Sequence, residues 1–242
     1  MAEKRNYEYL IFDADHTLLH YTEDERQAFK RMFLDYGLPT DEEMLSACVE
    51  LSKTVWAQAG MNDVETERVQ KSWHTTYRTH VTDIFRILFE KSPCKIDPVT
   101  AGKRFLAELL IGVAYMPSAR EVLGHFSKKQ GGRYGIIVAT NGVADMQESR
   151  LSPLKAWIDH VFISEKVGYI KPTKEFFLHI LNKVGITADK CLMIGDSLSS
   201  DMQGAIGVGM DCCWYNFRGA KNEKGVPVTY EIQDLKDLYK LL

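Results

Sequence analysis

Asp13 and Asp15 stand one residue apart at the end of the apolar run Tyr9-Leu10-Ile11-Phe12, with Thr17 two positions further on. A short apolar run that breaks off into two carboxylates and a hydroxyl reads as a buried parallel strand whose C-terminal tip opens into a site. In open parallel sheets, ligands bind beyond such tips. Two carboxylates over one small volume need a cation or a shared proton, which is a chemical demand rather than a packing one. The plainer alternative is a strand ending in an acidic turn, because Asp favours turns and helix N-caps.

Three later tips also carry polar groups. The run 134–139 leads into Thr140-Asn141-Gly142, which offers a hydroxyl and backbone amides suited to a phosphate, although Asn-Gly is also a favoured turn dipeptide. Lys171-Pro172 follows the run 161–164. The proline favours an extended Lys171 able to reach a central anion, against the commoner solvated lysine. The run 192–194 leads into Gly195-Asp196 and on to Asp201. There two carboxylates flank the start of a helix, or act simply as an N-cap and a first-turn acid.

The elements that would position these tips alternate. After Met116 the patterns predict helices at 118–129, 144–151, 174–184, 199–208 and from about 234, with strands at 134–139, 161–164, 192–194 and 211–215 between them. Such alternation means a doubly wound parallel sheet of the Rossmann-like kind, an α/β fold. The block 19–115 has no β alternation and reads as an inserted all-helical domain. Thr22-Glu23-Asp24-Glu25 is a capping box that starts a helix running to Gly37, and Thr40-Asp41-Glu42-Glu43 starts a second running toward Gly60. A third is expected at 65–79, a fourth at 82–90, and a fifth from Asp97-Pro98 past Leu110.

Composition excludes several classes. Thirty basic against 33 acidic residues give a formal charge of -3, so nothing draws the chain to nucleic acid or to a membrane surface. The charged first residues do not resemble a signal peptide. The longest apolar patch, 105–116, is broken by Glu108 and too short to span a bilayer. A cytoplasmic protein is expected. Cys48, Cys94, Cys191, Cys212 and Cys213 show no zinc-type pairing and read as reduced core or near-core residues.

Taken in order, Asp13-x-Asp15-x-Thr17, Thr140-Asn141, Lys171 and Gly195-Asp196 with Asp201 resemble the four-motif signature of the haloacid dehalogenase-like (HAD) hydrolases. The resemblance covers 1–18 and 116–242 as a catalytic core and puts 19–115 in the place of that family's C1-type cap. His16 departs from it, since many members carry Gly there. Asp-x-Asp is the family's phosphotransferase pattern; the dehalogenases lack the second Asp. The segments 31–36 (Arg-Met-Phe-Leu-Asp-Tyr) and 162–168, with Cys213-Trp214, are similar to the house-cleaning pyrimidine 5'-nucleotidases.

The resemblance implies a Mg2+-dependent phosphomonoester hydrolase that works through an aspartyl-phosphate. Asp13 would be the nucleophile and Asp15 the acid and base. Thr140, Asn141 and Lys171 would bind the phosphate. The Asp13 and Asp196 side chains and the Asp15 carbonyl would hold the metal. Asp201 would support Lys171 or metal-bound water, and Thr17 the loop. The expected substrate is a nucleoside 5'-monophosphate with a pyrimidine base, and the expected state a monomer or homodimer. Phosphoglycolate or a sugar phosphate, a phosphomutase reaction, and a catalytically silent binding protein are the alternatives; the last is disfavoured because every chemical position is occupied. Trp56 and Trp73 are candidates to contact a base, set against the commoner role of aromatic residues at helical spacing as core.

Overall fold

The computed structural model describes residues 5–90 and 94–242, so the charged start, Met1 to Lys4, lies outside the described residues. The chain divides into two compact units, Met1–Leu19 with Tyr115–Leu242, and His20–Ala114. No helix among the described residues is long and apolar enough to cross a membrane.

In the first unit, β1 (Tyr9–Phe12), β2 (Gly135–Thr140), β3 (His160–Ile163), β4 (Cys191–Gly195), β5 (Asp211–Tyr215) and β6 (Tyr230–Ile232) form one sheet in the order β3-β2-β1-β4-β5-β6. Every pairing is parallel. Strands β2 and β4 are buried along their whole length. That is why their sequences are continuous apolar runs with no alternation, as a parallel sheet covered on both faces requires. One layer beside the sheet gathers Ile11, Ile137, Met193 and Cys212 against Phe176, Phe177 and Ile180. All five cysteines are free thiols.

The strand order places the topological switch point between β1 and β4, since the chain builds β2 and β3 on one side of β1 before crossing to the other. Phe12 pairs with both Val138 and Ile194. This register brings the tips of β1, β2 and β4 level, so Asp13, Thr140 and Asp196 leave the sheet along one edge. The short strand β6 escapes the sequence reading because three residues, with Glu231 in the middle, carry no apolar run.

Helix α1 (Tyr21–Tyr36), α2 (Glu42–Gln58), α3 (Glu67–Glu90) and α4 (Pro98–Glu108) make up the second unit. Four helices stand among the described residues where five are expected. The expected break at 79–82 is absent because Val69, Trp73, Tyr77, Val81, Ile84 and Phe85 keep one buried stripe running through it. The Thr79 hydroxyl donates back to the Thr75 carbonyl at 3.0 Å instead of ending the helix. Helix α1 begins one residue before Thr22: the His20 Nδ1 accepts from the Glu23 amide at 3.2 Å and caps it. Helix α4 stops at Glu108, short of the expected end past Leu110. Asp97 caps α4 on the Thr100 amide as expected, whereas α2 is capped by Asp41, on the Met44 amide, one residue after Thr40.

Phe29 of α1 packs on Phe105 of α4 at 4.6 Å between ring centroids and on Phe85 of α3 at 5.9 Å. Trp56 and Trp73 meet edge to face at 5.2 Å, with Trp73 buried, so both belong to the packing of this unit. Arg31 and Asp35, from the nucleotidase-like segment 31–36, are fasteners. Arg31 donates to the buried Glu108 carboxylate at 2.6 Å and to the Glu108 carbonyl at 2.7 Å, while Arg104 joins Glu108 at 2.6 Å and Asp35 at 2.9 Å. Burial alone would raise the Glu108 pKa; the two guanidinium groups hold it below the ordinary value.

Candidate active site

Asp13 leaves β1 with its amide still donating to the Ile194 carbonyl at 2.9 Å, so its backbone position is set by the sheet. Its Oδ1 accepts from the Lys171 Nζ at 2.5 Å. The same Nζ donates to Asp201 Oδ1 at 2.6 Å and to the Ala139 carbonyl at 2.8 Å, which uses all three ammonium protons. Lys171 is 1% exposed, far from the solvated lysine of the plainer sequence reading.

Asn141, expected at the phosphate, does something else with its carboxamide. Its Nδ2 donates to the Lys171 carbonyl at 2.8 Å and its Oδ1 accepts from the Lys171 amide at 2.7 Å. Both ends of the side chain therefore hold the backbone from which Lys171 reaches Asp13. The nucleotidase-like segment 162–168 braces the same loop: Ser164 donates to the Gly142 carbonyl at 3.2 Å, and Glu165 accepts from the Ala144 amide at 2.7 Å.

Asp201 is fully buried, and its second oxygen accepts from the Ser197 amide at 3.1 Å. It reaches this position through one wide turn of π-helix, Leu198–Met202, before the short helix Gln203–Gly207, where the sequence pattern predicts plain α-helix. Gly195 is required here: a Cβ would run into the Asp201 carboxylate. Trp214 donates its indole proton to the Asp196 carbonyl at 2.9 Å and fixes the loop that presents Asp196.

Carboxylate oxygens of Asp13, Asp196 and Asp201 lie within 4.8 Å of one another. Burial pushes the Asp13 pKa well up; Lys171 opposes this, and Asp201 and Asp196 add to it. Burial, then Asp201, pushes Asp196 up to about 7, against Arg218 at 3.2 Å and Lys171. Burial would lower the Lys171 pKa, but Asp13 and Asp201 overturn that and raise it. The cluster is thus short of positive charge. Because Asp201 is engaged at both oxygens, Asp13 and Asp196 are the carboxylates of this cluster with an oxygen to spare. Hard oxygens in a buried, electron-rich cluster fit a divalent cation.

Asp15 faces a different set of partners. Its Oδ1 accepts from Arg150 at 2.5 Å and its Oδ2 from Gln147 at 2.6 Å. Both lie on the helix Ala144–Leu151, and Gln147 also donates to the Thr140 hydroxyl at 2.9 Å. Sequence reasoning missed this pair. The available signal was a Gln and an Arg three apart on a helix beside Met146 and Leu151, at buried positions. His16 takes the left-handed backbone, φ 63°, that Gly adopts freely, so the turn survives the departure from Gly at a cost of about 1 kcal/mol. Thr17 is buried in that turn, and its hydroxyl has no hydrogen-bond partner among the described residues.

A switch-point sheet edge carrying Asp-x-Asp, a buried lysine and a second acidic loop matches the haloacid dehalogenase class of hydrolases. The haloacid dehalogenase-like hydrolase family matches residues 7–209, and the chain belongs to that family, as an enzyme of its phosphatase type. It is 29% identical over 239 residues to the pyrimidine 5'-nucleotidase PynA of Streptococcus pneumoniae, covering 98% of this chain and 95% of that one. Identity to the pyrimidine 5'-nucleotidase YjjG of Escherichia coli is 26% over 239 residues, covering 98% of each. A crystal structure of the HAD-hydrolase YfnB from Bacillus subtilis bound to magnesium superposes with a TM-score of 0.81 at 27% identity, over 98% of this chain and 99% of that one.

Proposed function

We propose that this chain is a Mg2+-dependent nucleoside 5'-monophosphatase that prefers pyrimidines and works through an aspartyl-phosphate on Asp13. The observation that carries the reading is the Asp13 carboxylate, held by Lys171 at 2.5 Å on one oxygen and with the other to spare, beside Asp196 at the switch point. Domain roles follow the same reading, with 1–18 and 116–242 as the catalytic core and 19–115 as a cap that selects the substrate.

Asp13 attacks phosphorus and the ester oxygen leaves with a proton from Asp15. Asp15 then takes a proton from the water that opens the acyl phosphate. Lys171, the Thr140 hydroxyl and the amides of the loop at Asn141 and Gly142 stabilise the charge on the transferring oxygens, while Asn141 and Asp201 hold Lys171 in place. Mg2+, held by the Asp13 and Asp196 carboxylates and the Asp15 carbonyl, would neutralise the repulsion between the nucleophile and an anionic phosphate.

The pyrimidine preference rests on the relatives' names and on the segments shared with them. A phosphate-release screen over a panel of phosphomonoesters with Mg2+ tests both levels of the reading. Phosphate from dUMP or dTMP ahead of the panel supports it. A panel led by phosphoglycolate or a sugar phosphate replaces the substrate, transfer to a second hydroxyl makes it a mutase, and a silent panel sinks the enzyme reading.

A further inference from the structure

We propose that Gln147 and Arg150 are positioning residues of the reaction: together they aim the Asp15 carboxyl, and Gln147 orients the Thr140 hydroxyl as a donor toward the site. The inference rests on the role given to Asp15 above. Arg150 heads the largest fully buried side chains among the described residues, and Gln147 is fully buried beside it. A guanidinium without solvent is tolerated only when paired. Its carboxylate partner is Asp15, whose side chain is 27% exposed and so still open to a ligand.

The protons decide the arrangement. Gln147 has two amide protons; one goes to Asp15 Oδ2 at 2.6 Å and the other to Thr140 Oγ1 at 2.9 Å. Its Oε1 faces Arg150 Nη1 at 3.4 Å, so the amide cannot be turned over without setting an oxygen against the Asp15 carboxylate. A hydroxyl that accepts from Gln147 keeps its own proton to give. Gly142 completes the device, because a Cβ there would occupy the space of the Gln147 side chain. One helix thus sets both the group that hands a proton to the leaving oxygen and a donor to the phosphoryl oxygens.

A buried ion pair that serves stability alone is the competing account, and leaving-group dependence separates the two. The experiment compares kcat/KM of the full chain for dTMP, or the best alkyl phosphomonoester of the panel, with that for 4-nitrophenyl phosphate, whose leaving group needs no proton. Wild type, Asp15→Asn, Gln147→Met, Arg150→Lys and the double variant Asp15→Asn/Gln147→Met are measured. Gln147→Met nearly conserves volume, so it keeps the test alive if Arg150→Lys fails to fold. The expected result is a loss on the alkyl ester at least tenfold greater than on the aryl ester in Gln147→Met. The double variant should be no more selective than Asp15→Asn. Selective loss in Asp15→Asn with equal losses in Gln147→Met overturns this inference alone. Equal losses in Asp15→Asn itself overturn the role of Asp15, and the inference with it.

Discussion

Lys171 Nζ lies 2.5 Å from Asp13 Oδ1 across 158 positions of sequence, and it binds Asp201 at 2.6 Å with the same ammonium. One buried cation therefore holds the expected nucleophile against a second carboxylate that has no solvent of its own. Lys171→Ala should leave both carboxylates uncompensated, destabilising the core unit by about 3–5 kcal/mol. Asp13→Asn should keep the shape of the side chain and lose the nucleophile, with phosphate release abolished in a folded protein. Denaturant titration and phosphate release read the two effects separately; a tenth of wild-type turnover in Asp13→Asn would end the covalent route.

Metal removal should be reversible. EDTA should silence phosphate release and Mg2+ restore it, whereas Ca2+ should bind in a looser shell and support little turnover. Because only the folded protein offers the cluster, Mg2+ at a hundred times its Kd should add about 2.7 kcal/mol of stability, visible as a rise in Tm. Asp196→Ala should lose both responses. Full activity after exhaustive chelation would refute the metal's part.

Glu108 sets an acid limit on the helical unit. Its pKa is held below the ordinary 4.5 in the folded protein, so it binds fewer protons folded than unfolded near that value. The stability it contributes is complete above pH 4.5 and is lost as pH falls through its lowered folded value. Denaturation midpoints measured from pH 6 down to 3 should fall less steeply in Glu108→Gln, from a lower starting stability. Parallel curves for the two proteins would remove Glu108 from the acid response.

If the proposed pyrimidine preference comes from a pocket that fits one ring, a purine should be penalised by overpacking. The dUMP or dTMP kcat/KM should exceed that for AMP and GMP by at least about tenfold, or roughly 1.4 kcal/mol of transition-state discrimination. Equal efficiencies across the four nucleotides would remove base selection.

What the sequence determined by itself is the sheet and its charged tips. A parallel strand buried on both faces must be an unbroken apolar run, and it must stop where carboxylates begin, so Asp13, Thr140 and Asp196 are legible from local pattern alone. Helix Lys174–Val184 and strand Asp211–Tyr215 stand where their periodicity places them, for the same reason. Tertiary structure decided the partners. Arg150 and Gln147 reach Asp15 from 135 and 132 positions away, and the Asn141 carboxamide holds the Lys171 backbone 30 positions on. No local rule encodes such pairings, because they exist only once the sheet has brought distant loops to one edge. Helix α3 makes the same point in the other unit: its Thr-rich middle has weak helix propensity, yet the buried stripe from Val69 to Phe89 packs continuously, and packing outweighs propensity.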